Sequence, residues 1–440
     1  MASIIEPRVL KGFRDFLPAD QGLRESLIER LKQGFRAHGY LPIDTPVLEY
    51  TEVLLGKGGG ETDKQVYRFE DNGGRDVAMR FDLTVPFARY LAAHWQELHA
   101  PFRRYHVDKV WRGENTQRGR FREFMQCDFD IVGTTAVSAD FEILQLIAVS
   151  MDNLGVQEYT IRLSHRGVFN RFLRRLEAES SSEQILRAVD KLSKIGREKT
   201  AEILTETVSP GQADEILRYI EASGSWEETL STMEELSGGR SEESQRLRLL
   251  YRNAAAVGIA NRILLDPSIT RGLDYYTGVV FETFLDKLPG IGSVCSGGRY
   301  DNLASLYTRE VIPGVGASVG LDRLVAALEE LGLTSREQRL TDVLFLNLDE
   351  NLEPHYHRMA RRFRDAGLSA EVYPEKKKLG AQFAYAERKQ IPVGIICGEE
   401  EHASGVVNLR FLESRESVEG IALEAAVARA LEHLEQKSRG

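Results

Sequence analysis

Between Arg112 and Asp130 the chain reads Arg-Gly-Glu-Asn-Thr-Gln-Arg-Gly-Arg-Phe-Arg-Glu-Phe-Met-Gln-Cys-Asp-Phe-Asp, two short arms around a glycine-bearing turn. Arg112, Arg118, Arg120 and Arg122 supply guanidinium forks, each able to match two phosphate oxygens at once. Phe124 offers a flat partner for a purine ring, and Glu114 an acceptor for its exocyclic amine. On the outgoing arm Gln126 and Asp130 alternate with Phe124 and point to one face. This chemistry suits a nucleotide polyphosphate beside an acidic pocket. The same residues would also make an exposed hairpin whose charges are merely solvated.

Three further stretches carry polar groups at useful spacing. Ala78 to Pro86 alternates as a strand ending at proline, with Arg80, Asp82 and Thr84 on one face. Ser268 to Glu282 alternates β-branched and aromatic residues around two glycines and contains Arg271-Gly-Leu-Asp-Tyr-Tyr-Thr-Gly. A hairpin at Pro289 to Gly292 then leads into Cys295 to Asp301, whose small residues let a ligand approach the backbone. Gly314 to Leu324 reads as a glycine-rich strand entering a helix, with Arg323 placed to meet a phosphate. It does not form the dinucleotide fingerprint.

These residues need a frame. Leu23, Leu27, Leu31 and Phe35 lie at helical spacing between an expected N-cap at Asp20 and a stop at Gly39. In Gly39 to Glu49 prolines confine an extended segment to a sheet edge. Gly56 to Gly60 holds four glycines in five positions and suits equally a flap over the site or a flexible connection. Short helical periods from Ser164 to Asn261 predict a helical insertion, with a Ser-, Glu- and Gly-rich tract from Ser223 to Ser244, and His165, Asp190 and Lys191 read there as surface or packing residues. Beyond the polar stretch Thr334 to Thr341, strands and helices alternate: Val343 to Leu348, Leu352 to Asp365, Ala370 to Tyr373, Ala381 to Lys389, Pro392 to Cys397, a charged turn at Gly398 to Ala403, Val406 to Leu412 and a terminal helix. That order predicts a small α/β domain with a largely parallel sheet. Its loop Lys376-Lys377-Lys378 is either a contact for an RNA backbone or a solvated turn.

A chain of 440 residues is too long for one core, and 42% hydrophobic with 28% charged residues is ordinary for a soluble globular protein. The net charge of −10 argues against indiscriminate coating of nucleic acid, yet leaves room for a local basic patch such as Arg103 to Arg122. The three cysteines are far apart, so neither a zinc site nor a disulfide framework is expected. No secretory signal, transit peptide or membrane-length apolar run is seen, which points to the cytoplasm.

The run from Arg112 to Asp130 resembles motif 2 of class II aminoacyl-tRNA synthetases, and its Gln-Cys-Asp-Phe-Asp-Ile-Val-Gly tail narrows the likeness to histidyl-tRNA synthetases. Gly39 to Glu49 is similar to motif 1, which forms the dimer interface in that family, and Gly-Leu-Asp-Arg323 to motif 3. The stretch Arg271-Gly-Leu-Asp-Tyr-Tyr-Thr-Gly is similar to the sequence characteristic of histidyl-tRNA synthetases, and Arg80-Phe-Asp-Leu-Thr-Val-Pro and Ser296-Gly-Gly-Arg-Tyr-Asp agree with it. The resemblance implies an α+β fold: a catalytic domain on an antiparallel sheet (1–163 and 262–333) with a helical insertion (164–261), and a C-terminal α/β anticodon-binding domain (342–440). It implies ligation of L-histidine to tRNA(His) through histidyl adenylate, with ATP as substrate, Mg²⁺ on the triphosphate, and a homodimer off the membrane. The ATP site implied is Arg112, Glu114, Arg120, Phe124 and Arg323, with Arg112 and Arg271 catalytic. The histidine site implied is Asp82, Leu83, Thr84, Gln126, Asp130, Arg271, Tyr275 and Tyr276; no protein-held metal is expected. Asp82 and Asp130 stand where many bacterial members carry Glu, and Asp322 where motif 3 commonly does, so the hydrogen-bond assignment stays open. The rival expectations are the regulatory subunit of ATP phosphoribosyltransferase, which shares the catalytic scaffold, and a tRNA-sensing module.

Overall fold

The computed structural model describes residues 4–56, 65–269, 276–334 and 341–439. The chain divides into two compact units, Met1–Asp15 with Arg24–Ser335, and Phe16–Leu23 with Arg336–Gly440.

Helix α1 (Pro18–Ala37) buries Leu27, Leu31 and Phe35. It starts ahead of the expected cap because proline fits a first helical turn, where its missing N–H has no partner to lose. It stops at Gly39, whose φ of 77° is left-handed. Next come β1 (Leu41–Pro42), β2 (Leu48–Tyr50), α2 (Thr51–Leu55), β3 (Arg68–Glu70) and β4 (Asp76–Met79). The strand expected over Ala78 to Pro86 is shorter than its alternation suggests. It ends at Met79, and helix α3 (Thr84–His94) takes in Pro86, again within a first turn that tolerates proline.

A long hairpin follows, β5 (Phe102–Trp111) and β6 (Glu123–Val132), paired antiparallel from Trp111↔Glu123 to Phe102↔Val132. Helix α4 (Val137–Asn153) lies against β6, and β7 (Tyr159–His165) leads into six helices: α5 (Arg166–Arg175), α6 (Ser182–Val189), α7 (Leu192–Thr205), α8 (Pro210–Ile220), α9 (Trp226–Leu236) and α10 (Glu242–Ala256). The Ser-, Glu- and Gly-rich tract contains α9. Its serines work as caps, Ser225 and Ser241 each accepting the N–H of the residue three positions on. The first unit closes with β8 (Ile263–Leu265), β9 (Val279–Leu285), β10 (Cys295–Tyr300), β11 (Gly314–Gly320) and α11 (Leu321–Glu330).

The main sheet has eight strands in the order β1-β5-β6-β11-β10-β9-β7-β8. Its neighbours are antiparallel except for β1 with β5 and β7 with β8. Alternation along β6 sorts the two faces. Cys127, Phe129 and Ile131 are buried apolar residues, and the Phe129 ring lies 5.1 Å from Phe35 of α1. Gln126, Asp128 and Asp130 point the other way and are also buried, under α3.

The second unit is a five-stranded sheet in the order β13 (Ala370–Val372), β12 (Val343–Phe345), β14 (Val393–Ile396), β15 (Val407–Phe411) and β16 (Ser417–Ile421). Helices α12 (Glu353–Asp365), α13 (Leu379–Arg388), α14 (Glu399–Ser404) and α15 (Leu423–Arg439) complete it. Only half of the pairings are parallel, which corrects the largely parallel expectation: β14–β15 and β15–β16 run antiparallel. The charged turn at Gly398 is the one-and-a-half-turn helix α14, and β16 is a mostly exposed edge strand without an apolar run to announce it.

Candidate active site

Arg112 is the first residue past β5, and the loop to β6 is closed at its tip by a bridge between Gln117 and Arg120. Gly119 holds φ at 68°, and a Cβ there would come within 3.1 Å of the Arg323 Cα, so the tip sits directly on motif 3. This contact assembles the cation cluster. Arg112 and Arg120 lie 3.9 and 3.6 Å from the carboxylate of Glu114. Burial, followed by the charge of Arg120 and, less strongly, of Arg112, lowers the Arg323 guanidinium to about 10, while Glu114 and Glu282 oppose that shift. A guanidinium pushed down by burial and then by neighbouring cations is one that a polyanion would stabilise. Arg112 is oriented by its Nε, which donates to the Phe81 carbonyl at 2.9 Å, and its guanidinium lies 5.2 Å from the centre of the Phe124 ring. Arg118 and Arg122 face elsewhere: Arg118 pairs with Glu330 at 2.8 Å, and Arg122 donates to the Glu114 carbonyl.

Behind this cluster lies the polar face of β5 and β6. The register puts Arg104 opposite Asp130, His106 opposite Asp128 and Asp108 opposite Gln126. Asp130 is 2.8 Å from Arg104 and accepts the Tyr300 hydroxyl. Gln126 donates to Ser318 of β11 at 2.9 Å. Asp82 sits at the N-terminus of α3, where one carboxylate oxygen accepts the Val85 N–H at 3.0 Å. Burial raises the carboxyls of Asp82 and Asp130, and raises Asp128 to about 7. Asp82 Oδ2, Gln126 Oε1, Asp128 Oδ1 and Asp130 Oδ2 are buried without a hydrogen-bond partner in the protein; the Asp130–Arg104 contact is ionic rather than well aligned. Unmatched buried acceptors are costly, and several on one face suit a small ligand rich in N–H groups.

Of the expected histidine site, Asp82, Leu83, Thr84, Gln126 and Asp130 are placed between α3 and the sheet, with Leu83 fully buried. Tyr276 lies over Gly298, where a Cβ would be 2.9 Å from its ring, and next to Tyr300. Arg271 and Tyr275 lie outside the described residues, as does most of the glycine loop at 57–60. Arg80 does not share a face with Asp82 and Thr84. It is fully buried, donates to the Thr45 and Lys109 carbonyls and pairs with Asp108, so it ties the motif 1 segment to β5. Among the described residues Asp44, His106 and Asp108 could converge on a metal, but the Arg80 cation already stands at Asp108. His165 is a packing residue as expected, buried and capping α5 through Nδ1, which accepts the Gly167 N–H.

Arg104 and Asp128 were not singled out from the sequence, and Asp322 only as a departure from the usual motif 3. The first two share the parity of Phe124, Gln126 and Asp130 once strand pairing is known. Asp322 precedes Arg323 and is a hub: it accepts from Arg24 at 2.6 Å, from Arg14, and from the Met125 N–H at 2.8 Å. The Gly12 carbonyl accepts the Arg122 and Glu123 N–H groups, and the Arg14 guanidinium stacks 3.2 Å over Phe121. The N-terminal segment therefore fastens motif 2 to motif 3.

The family model for histidyl-tRNA synthetase matches residues 12–324, and that for an anticodon binding domain matches residues 342–433. The chain is 55% identical over 406 residues to the histidine–tRNA ligase of Treponema denticola, with 91% of each chain covered. It is 50% identical over 420 residues to that of Rhodopirellula baltica, covering 94% of this chain and 95% of the relative. The crystal structure of histidyl-tRNA synthetase from Nostoc superposes with a TM-score of 0.85 at 32% identity, over 97% of this chain and 100% of that one. Likeness of this extent, through the sheet that carries the arginines and through the second unit alike, has one meaning: the chain belongs to the histidyl-tRNA synthetase family.

Proposed function

We propose that this chain ligates L-histidine to tRNA(His) in two steps. A histidine carboxylate oxygen attacks the α-phosphorus of ATP, the bond to the bridging oxygen breaks, and pyrophosphate leaves. A hydroxyl of the tRNA terminus then attacks the carbonyl of the adenylate and releases AMP. The observation that supports this most is the approach of Arg112 and Arg120 to Glu114 within the same electrostatic neighbourhood as Arg323, beside the row of unmatched acceptors on β6. Chemistry of this kind depends on positioning and charge neutralisation.

In this reading Arg112 holds the α-phosphate, Arg120 and Arg323 the outer phosphates, Phe124 the adenine face and Glu114 its amine. Arg271 bridges the substrate carboxylate and the α-phosphate. Asp82, Thr84 and Gln126 take the ammonium group, Leu83 walls the pocket, and Asp130 with Tyr275 and Tyr276 meets the imidazole. Mg²⁺ fits as the companion of the triphosphate, since the Glu282 carboxylate faces the Arg323 cation and Mg²⁺ is commonly held by one or two carboxylates plus phosphates. A homodimer through motif 1 is supported by exposed apolar residues there, Leu41, Val47, Leu48 and Tyr50. Among the described residues no helix is long and apolar enough to cross a membrane, in keeping with work in the cytoplasm. The anticodon-type second unit and the intact arginines weigh against the regulatory-subunit reading. Pyrophosphate exchange into ATP should depend on L-histidine; exchange driven equally by another amino acid would refute the assignment.

A further inference from the structure

The face shared by β5 and β6 holds more charge than the proposed pocket uses. Arg104 is fully buried, with its guanidinium 4.2 Å from the centre of the Phe87 ring on α3, 2.8 Å from Asp130 and 3.9 Å from Asp128. We propose that Arg104 is a positioning residue for amino-acid selection: it keeps Asp130 an ionised acceptor for the imidazole N–H, with Asp128 as a competing carboxylate on the same cation. This rests on the reading of Asp130 as the group that meets the ring.

Three carboxylates, Asp82, Asp128 and Asp130, are buried on this face, and burial disfavours the charge of each. Arg112 also faces Asp82, which leaves Asp128 and Asp130 to share the Arg104 cation, and one cation cannot hold both ionised. Arg104 is nearer to Asp130, and the Tyr300 hydroxyl donates to the same carboxylate. Asp128 has less support: the cation is 3.9 Å away, and although a Ser318 hydrogen bond opposes the shift, burial and the neighbouring Asp130 charge push its carboxyl up to about 7. Asp128 therefore takes a shared proton first and Asp130 keeps its charge. The Phe87 face pins the guanidinium, so the cation cannot swing away toward water. The consequence is chemical: an ionised carboxylate only accepts, whereas a protonated one presents an O–H. With Arg104 in place the pocket demands a ring N–H, and a side chain of similar size without one leaves the Asp130 charge unmatched.

The test is pyrophosphate exchange with the full chain, measuring KM for histidine and for ATP separately. Arg104→Met should raise KM for histidine about tenfold or more, the worth of one charged hydrogen bond, and leave KM for ATP within about twofold. Arg104→Lys should recover part of the loss. In the double variant Arg104→Met/Asp128→Asn the competing charge is gone, so KM for histidine should fall between those of Arg104→Met and wild type, about threefold or more above wild type. If Arg104→Met proves too unstable to purify, that charge-balanced double variant carries the comparison. Equal rises for ATP and histidine, or a double variant identical to wild type for histidine, would overturn the inference. Wild-type exchange indifferent to histidine would instead sink the reading on which it rests.

Discussion

Gly316 on β11 lies opposite Asp130 on β6, and no larger residue fits there without moving that carboxylate. A Cβ at Gly316 would stand 1.9 Å from Asp130 Oδ1, 2.3 Å from its Cγ and 2.8 Å from the Phe129 carbonyl oxygen. Ordinary contact between such atoms is about 3.5 Å, so in Gly316→Ala the carboxylate must retreat by roughly 1.5 Å. It cannot do so while keeping both Arg104 and Tyr300. Overpacking of this kind costs about 1–3 kcal/mol of stability, and misplacing a substrate-orienting group by about 1 Å costs on the order of 10²-fold in rate. Steady-state pyrophosphate exchange should show kcat/KM for histidine down about 100-fold, with KM for ATP within about threefold, because the arginines proposed for the phosphates stand on the loop and on α11 rather than behind β11. A melting curve should stay cooperative with a lower midpoint. Histidine kinetics within about twofold of wild type would refute the placement of Asp130, as would an equal loss for ATP.

Arg323→Ala should raise KM for ATP about tenfold or more with little change in KM for histidine, as judged by the same exchange assay. His165 is neutral in the folded chain, its pKa pushed by burial from 6.5 to about 4, so the unfolded chain binds the proton first as pH falls. Its contribution is complete above about pH 6.5 and is lost on acidification through about pH 4, an effect of up to about 3 kcal/mol. His165→Asn, which keeps a cap for α5 without titrating, should flatten the denaturant-midpoint profile across that window. Charge reversal at Lys376, Lys377 and Lys378, exposed ahead of α13, should weaken tRNA binding and reduce its salt slope by about 0.9 per lost phosphate contact while histidine-dependent exchange persists.

The hairpin from Arg112 to Asp130, the β11-to-α11 junction around Arg323 and most of the second unit could be read from the sequence because each follows a local period or a turn residue. Ala78 to Pro86 misled for an instructive reason: polar-apolar alternation mimicked a strand, while Asp82 and Pro86 were in fact the beginning of a helix. The serines at 225 and 241, noted only as part of a Ser-, Glu- and Gly-rich tract, cap α9 and α10. Arg104 was out of reach because its meaning lies in strand register, which no single segment encodes, whereas Asp128 was overlooked although it alternates with Gln126 and Asp130. Arg118 and Arg122 look identical to Arg112 and Arg120 as letters, and only their partners, Glu330 and the Glu114 carbonyl, tell them apart.

The clasp formed by Arg14 and Asp322 spans 308 residues of chain. At translation rates of 5–20 residues per second, roughly 15 to 60 s separate the emergence of its two halves from the ribosome. The nascent amino terminus must wait, unclasped, until the last helix of the first unit has been made. A product that terminates before residue 322 thus lacks the clasp between its amino-terminal segment and the start of α11.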